Sequence, residues 1–357
     1  MRGKIFVVIT TLAISALSLA GCSGGGGGAA PAAGTGTVNS GVITASGNIA
    51  VNGVFYNVSS ANIIIDGLPG KKSDLQVGMV VTVRGIFDNF TSHAIRRTAT
   101  SVEYTSNFQG PVDCVNILNN SLTIMGQQVL VSTTPPNQTV FANFSSTRII
   151  FANVSTVTKL NPHLSPQFAS NPPSPLNPQP TLYSMVKVSG FSNDINGFQA
   201  TRIELLAQAV DLTTSFPIGI MGTANNVDPI GMAFTIGNLS IDYSQMNQVY
   251  VPIHFASGQF ISVKGFSSDY SPGNAPSLSV IAPRSIFTIN EGAAAQQGDH
   301  VTVEGFVSGL SGTTFKVGGT TVSAATISLK GITNSVMVEV EGTFNNGILI
   351  ATKLTLL

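Results

Sequence analysis

The sequence predicts an all-β protein, a string of four small β-barrel modules of the OB-like, Greek-key type, with β-sandwich modules as the alternative. Three observations predict it. A short phrase recurs four times, as VVTVRGIF from Val80, MVKVSGF from Met185, FISVKGF from Phe260 and MVEVEGTF from Met337. Within it, β-branched residues alternate with polar ones, the period of a half-buried strand. No segment carries a convincing 3.6-residue apolar period, which an amphipathic helix would need.

Taken along the chain, residues 1–21 come first. Arg2 and Lys4 precede an apolar run, Ile5 to Leu19, that is short for a bilayer span and reads as a signal peptide. The ending Leu19-Ala20-Gly21-Cys22 resembles the lipobox of bacterial lipoproteins. That resemblance implies cleavage before Cys22, diacylglycerol on its thiol and an acylated (for instance palmitoylated) new N-terminus, enough acyl chains for stable anchoring. Ser23, where Asp would signal inner-membrane retention, implies the outer membrane on the same analogy. Residues 22–37 then form a Gly/Ala-rich stretch with little to bury, expected to act as a flexible tether.

Four modules are expected at 38–107, 108–210, 217–290 and 298–357. In each phrase the apolar set (Val83, Val188, Val263 and Val340 among them) falls on one face. Arg84, Lys187, Lys264 and Glu341 fall on the other, which is read as solvated. The Gly that follows marks a bulge or sharp bend where a side chain would clash. A closing phrase comes next, as ATSVEY from Ala99, ATRIEL from Ala200 and ATKLTL from Ala351, with SLSVIA from Ser277 in its place in the third copy. Asn196-Gly197 and Asn346-Gly347 lie between phrase and closing strand, and Asn52-Gly53 lies upstream in the first unit, all favoured two-residue hairpin turns. A further match, VTVEGF from Val301, belongs to a first strand instead.

Gly190 to Gly265 is 75 residues and Gly265 to Gly342 is 77, but Gly85 to Gly190 is 105. The excess is an insertion in module two at about 143–180, where Asn161 to Pro180 holds seven prolines and cannot sit inside a sheet. Periods near 75 exceed those of solenoids, so independently packed beads are expected. The lipobox, the tether and the pattern Leu75-x-x-Gly78-x-x-Val81-x-Val83-x-Gly85 together resemble the bacterial family DUF5666, a repeated domain of unknown function in exported and lipid-anchored proteins. The resemblance covers most of Val38 to Leu357, best in modules one, two and four. It implies a repeated small β domain and no particular activity.

Charged residues are 9% of the chain, with sixteen basic against sixteen acidic, so the basic surface that a phosphate backbone requires is missing and nucleic acid is not an expected partner. His93, His163, His254 and His300 fall in different modules or loops, without metal-ligand spacing. Glu103 and Glu204 hold equivalent places in separate closing strands, where Thr355 stands in the fourth unit, and are read as a solvated face. Asp194 and Asn196 lack the further acidic ligands of a calcium loop. With Cys22 lipidated, no second cysteine is left to form a disulfide with Cys114, which is read as a small buried thiol. Trp is absent, which weakens sugar stacking, although Tyr243, Tyr250 and Tyr270 remain in module three.

These features point to a non-catalytic, lipid-anchored envelope protein, a scaffold or spacer that presents module loops to an envelope or extracellular protein or glycan. No metal or cofactor is expected. The alternative is a glycan- or peptide-binding lipoprotein, favoured if two modules share a polar, aromatic-lined groove. A hydrolase would need His, Asp and Ser to meet across a module interface.

Overall fold

The computed structural model describes residues 36–87, 96–116, 119–135, 137–144, 183–193, 197–272, 279–289 and 292–357. Leu19, Ala20, Gly21 and Cys22, the tether up to residue 35, His93, His163, Asp194, Asn196 and nearly all of the Pro-rich insert lie outside them. Gly36 and Thr37, expected in the tether, instead begin the first strand, where Thr37 is buried by strand pairing on both sides.

The first barrel contains β1 (Gly36–Ala45), β2 (Ile49–Val51), β3 (Val54–Asn57), β4 (Asn62–Ile65), β5 (Leu68–Pro69), β6 (Val80–Phe87) and β7 (Arg96–Tyr104). Strands β1, β2 and β3 form an antiparallel meander, β3 runs parallel to the start of β7, and β6 joins β7 back to β1. The ring therefore closes, as an OB-type barrel does. Asn52 and Gly53, at φ 48° and 70°, make the β2–β3 turn, and Asn346 and Gly347 at 50° and 82° make the last hairpin of the chain. Both pairs adopt the positive φ that an Asn-Gly hairpin turn requires.

The second barrel repeats the ring with β8 (Phe108–Asn116), β9 (Ser121–Ile124), β10 (Gln127–Val131), β11 (Val140–Ala142), β12 (Tyr183–Asn193) and β13 (Gly197–Val210). The third uses broken strands: β14 (Pro217–Thr223), β15 (Asn225–Asp228), β16 (Ala233–Ile236), β17 (Leu239–Asp242), β18 (Phe260–Phe266), β19 (Tyr270–Ser271), β20 (Ser279–Ile281) and β21 (Ser285–Thr288). The fourth comprises β22 (His300–Ser311), β23 (Thr314–Val317), β24 (Thr320–Ser323), β25 (Met337–Asn345) and β26 (Ile348–Leu356), again closed. VTVEGF lies in β22, the first strand of its barrel. The fold is all-β and barrel-based.

The four phrases are β6, β12, β18 and β25, the fourth strand of each ring. Val83, Val188, Val263 and Val340 are all 0% exposed. The phrase glycine sits at a register shift in three barrels, opposite Ala99, Ala200 and Ala351. A Cβ on Gly190 or Gly342 would lie 2.0 or 2.1 Å from a carbonyl oxygen of the closing strand, and one on Gly85 would lie 2.9 Å away. The repeated Gly-Ala pairing is thus a bulge whose backbones approach too closely for a side chain.

Barrel three departs from the expected pattern. SLSVIA does not replace the Ala-Thr phrase opposite β18. Its strand β20 pairs with β17 and β19, while Val263 faces Ile286 of β21. The cause is a 3-10 turn at Ser267–Asp269 that interrupts the hairpin. Asp269 accepts from the Phe266 N–H at 3.0 Å and binds Arg284 through both Nε and Nη2. Gly265 consequently has no bulge, and a Cβ there would meet only ordinary contacts from 3.5 Å outward.

The expectation of independent beads is also corrected. In every barrel the first half of the first strand keeps one edge open, and each is paired to a neighbour. Strand β1 pairs with β22 in parallel, from Thr37 opposite His300 to Ser40 opposite Val303. Strand β8 pairs with β14 antiparallel at Phe108 and Gln109. Open strand edges invite aggregation, and covering them with sister barrels removes that hazard. The apolar interiors follow the pairing: barrels two and three share one cluster from Phe108 to Ile286, and Val38 of β1 packs with the core of barrel four. Its neighbour Asn39, fully buried toward barrel one, donates to Val51 O and Tyr56 Oη and accepts from Asn52 Nδ2. Barrel one is tied to barrel two by polar contacts. The Val80 N–H donates to Ser189 Oγ at 2.8 Å, Thr201 Oγ1 to Gly78 O at 2.6 Å, and Arg202 Nη1 to Val77 O at 3.0 Å. These contacts explain why Ser189 and Arg202, on faces that alternation assigns to solvent, are buried.

Candidate functional site

Barrels one, two and three enclose a groove of about 690 Å³. Its first wall is the β4–β5 hairpin, where the tight turn Asp66-Gly67 (φ 51° and 85°) holds Leu68 out at 70% exposure. Its floor includes Gln109 and Lys187 of barrel two, and its far wall carries Lys264, Phe266 and Arg284 of barrel three. Ser262, expected on the solvated face of the third phrase, is buried and lines the same groove.

An ion pair fixes the corner between barrels one and two: Lys187 Nζ lies 2.7 Å from Asp66 Oδ2. Burial pushes the Asp66 carboxyl up, but hydrogen bonds from Lys187 and from the Ser106 N–H outweigh it and hold the group below its ordinary value. The expectation of a freely solvated Lys187 is therefore corrected, because it bridges two barrels. On the opposite wall the Arg284 guanidinium is clamped on Asp269 and lies 6.0 Å from the Phe266 ring centre. Arg284 also borders a smaller pocket of about 320 Å³, lined by Asp242, Gln245, Asn247 and Tyr250, so the two concavities meet at this side chain. Of the tyrosines expected in module three, Tyr243 and Tyr270 are 4% exposed and only Tyr250 presents its ring, at 62%.

A third cleft, of about 420 Å³, opens where barrels one, two and four meet. Glu304 and Glu339, cross-strand partners on β22 and β25, face it. Burial pushes Glu304 up, the Val42 N–H bonded to its Oε2 at 3.0 Å pulls it down, and Glu339 raises it again. Between barrels two and three, burial lifts Asp113 to about 7 against hydrogen bonds from the Gly126 N–H and the Tyr270 hydroxyl, each 2.8 Å.

The remaining candidates do not assemble. Glu103 is exposed on β7, whereas Glu204 on β13 contacts Arg202 at 3.4 Å and Asn143 at 3.1 Å. His254 stands exposed in a loop; His300, half-buried at the start of β22, is lowered by burial and by Arg97. Cys114 is half-buried rather than fully buried, and burial pushes its thiol up, away from the reactive thiolate. Among the described residues, no group of three or more His, Cys, Asp or Glu side chains is placed to hold a metal ion. Sequence reading missed the groove because Leu68, Lys187 and Arg284 come from three modules. Alternation assigns two of its lining residues, Lys187 of the second phrase and Ser262 of the third, to water, so the phrases give no sign of it.

The geometry defines a class, a repeat protein of OB-type barrels with concavities between the repeats. The model of a domain of unknown function (DUF5666) matches residues 35–103 and 304–355, which take in most of the first and fourth barrels. Barrels two and three repeat the ring of strands outside the matched residues. No curated protein and no solved structure gives a significant match to the chain.

Proposed function

We propose that the protein is a non-catalytic, lipid-anchored envelope scaffold that holds an extended macromolecular ligand in the groove between its first three barrels. The observation that carries this reading is the groove itself, walled by three barrels that strand pairing and the Asp66–Lys187 bridge tie together. A cleft formed before the ligand arrives spares the ordering cost of binding. Lys187 is paired with Asp66 and Arg284 with Asp269, and the other charged side chains of the lining, Asp74 and Lys264, are opposite in sign, which suits a ligand of low net charge such as a glycan or an uncharged peptide segment. The anchor rests on Leu19, Ala20, Gly21 and Cys22, and would place the barrels at the outer membrane beyond the Gly/Ala tether.

The test is site-specific photo-crosslinking in intact cells, with the probe at Leu68, at Phe266 and, as a control on barrel four, at exposed Ile350. One adduct shared by Leu68 and Phe266 and missing at Ile350 is expected. Equal labelling at all three positions, or none in the groove, contradicts the proposal.

A further inference from the structure

We infer that the pocket around Tyr250 is a subsite for a neutral saccharide ring. Its position beside the larger groove rests on the groove reading, whereas its chemistry does not. The 3-10 turn Gln248–Tyr250 sets the tyrosine in place: Asn247 Oδ1 accepts from the Val249 N–H at 3.0 Å, and the Tyr250 N–H donates to Asn247 O at 2.9 Å. The turn is anchored below by the Met246 N–H bonded to Tyr243 O, with Tyr243 packed against Phe234 and Phe255 in the barrel's core. The backbone holding the exposed ring is therefore fixed rather than a loose loop.

Around the ring stand planar polar groups of the kinds that read hydroxyls. Asn247 has its carbonyl oxygen committed to the turn, which leaves its NH₂ to donate. Gln245 adds a second amide. The Asp242 carboxylate, held below its ordinary value by the Ser244 N–H, is an ionised acceptor on the rim. Arg284, locked on Asp269 through Nε and Nη2, offers oriented N–H groups from the far side.

A sugar ring has C–H faces that lie on an aromatic plane and an edge of hydroxyls that both donate and accept. Other ligand classes fit less well. Asp242 and Asp269 against the single Arg284 disfavour phosphate, and although Met246, Ala282 and Pro283 add apolar wall, an aliphatic side chain would cover the polar groups of Asp242, Gln245 and Asn247 without pairing them. A volume of about 320 Å³ sits at the small end of ligand pockets, suited to a single ring with its substituents.

The test uses the full chain in detergent, probed with an array of neutral oligosaccharides built from glucose, galactose, mannose and N-acetylglucosamine, then titrated with the strongest binder. Tyr250→Ala should weaken binding at least tenfold, and Tyr250→Phe, which keeps the stacking face, should stay within about threefold of wild type. Asn247→Gly should lose most of the binding through both the donor and the turn, and Leu68→Ala, in the groove, should leave a short saccharide unaffected. The urea midpoint of Tyr250→Ala should equal that of wild type, because the ring is exposed. Binding of no neutral saccharide, or binding indifferent to Tyr250→Ala, overturns the subsite. A groove adduct that proves to be protein, together with an empty array, would refute the subsite while sustaining the groove.

Discussion

The four phrase glycines should respond to alanine in two opposite ways. At Gly190 and Gly342 the new Cβ would fall 2.0 and 2.1 Å from the carbonyl oxygens of Gln199 and Ile350, and at Gly85 2.9 Å from that of Thr98. Real carbon–oxygen contacts are about 1 Å longer than the first two, and the obstacle is backbone, which cannot swing aside. The bulge would have to open, breaking ladder hydrogen bonds, so overpacking of about 3 kcal/mol or more is expected at these two sites and about 1–2 at Gly85. Gly265 has no bulge, its φ lies outside the left-handed region, and its nearest neighbour is the Ile281 side chain at 3.5 Å. Alanine there restricts the unfolded chain without a clash and should be neutral or stabilising by up to about 1 kcal/mol. Urea denaturation of the four full-length variants gives the comparison. Four equal losses would show that the glycines serve some common need other than the bulge and would refute this reasoning.

Asp at Val83, Val188, Val263 or Val340 should cost roughly 3 kcal/mol or more, since each site is fully buried, as denaturant midpoints would show. Lys264→Ser, on an exposed side chain, should cost about half a kcal/mol or less, whereas Lys187→Ser should cost about 1–3 kcal/mol because Asp66 loses its partner. Equal effects of the two lysines would contradict the bridge. Asp113 carries a folded-state pKa of about 7 against an ordinary 3.8, so between those values the native state holds the proton and the unfolded state does not. Its contribution to stability therefore falls as pH rises from about 4 to about 7, by at most about 4 kcal/mol, and Asp113→Asn should flatten that fall in urea midpoints taken across the range. A wild type that gains stability over the same range relative to the variant would reverse the sign. Cys22→Ser should leave an uncleaved precursor and abolish alkyne-fatty-acid labelling; undiminished labelling would remove the anchor.

The barrels were legible because the strand signal is local. Alternation in VTVRG and the Asn-Gly turns each lie within a few residues, and period-two burial leaves only one register. Barrel three was misread at its closing strand because Arg284 and Asp269 rebuild that hairpin through a contact fifteen residues apart, which no local pattern announces. The assembly was illegible for the same reason on a longer scale. A strand edge open in one barrel and the matching edge in another look identical in sequence whether or not they meet, and β1 finds β22 across some 260 residues. Only Ser189 and Ser262 hinted at it, as small hydroxyls that suit a covered face as well as a wet one. The groove inherits this limit, since each of its walls belongs to a different repeat.

Amide hydrogen exchange on the full chain tests most directly whether the barrels form one body. The N–H groups of Val80, Asn107, Gly190 and Met221 bond across or beside barrel boundaries, to Ser189 Oγ, Val188 O, Asn107 Oδ1 and Asn107 O. In a body with a preformed groove they open only with the barrels they join, and their protection should match that of core amides such as Val188 and Val263. Exchange at these four as fast as at an exposed turn, with the barrel cores still protected, would mean that the barrels separate freely and that no standing groove exists.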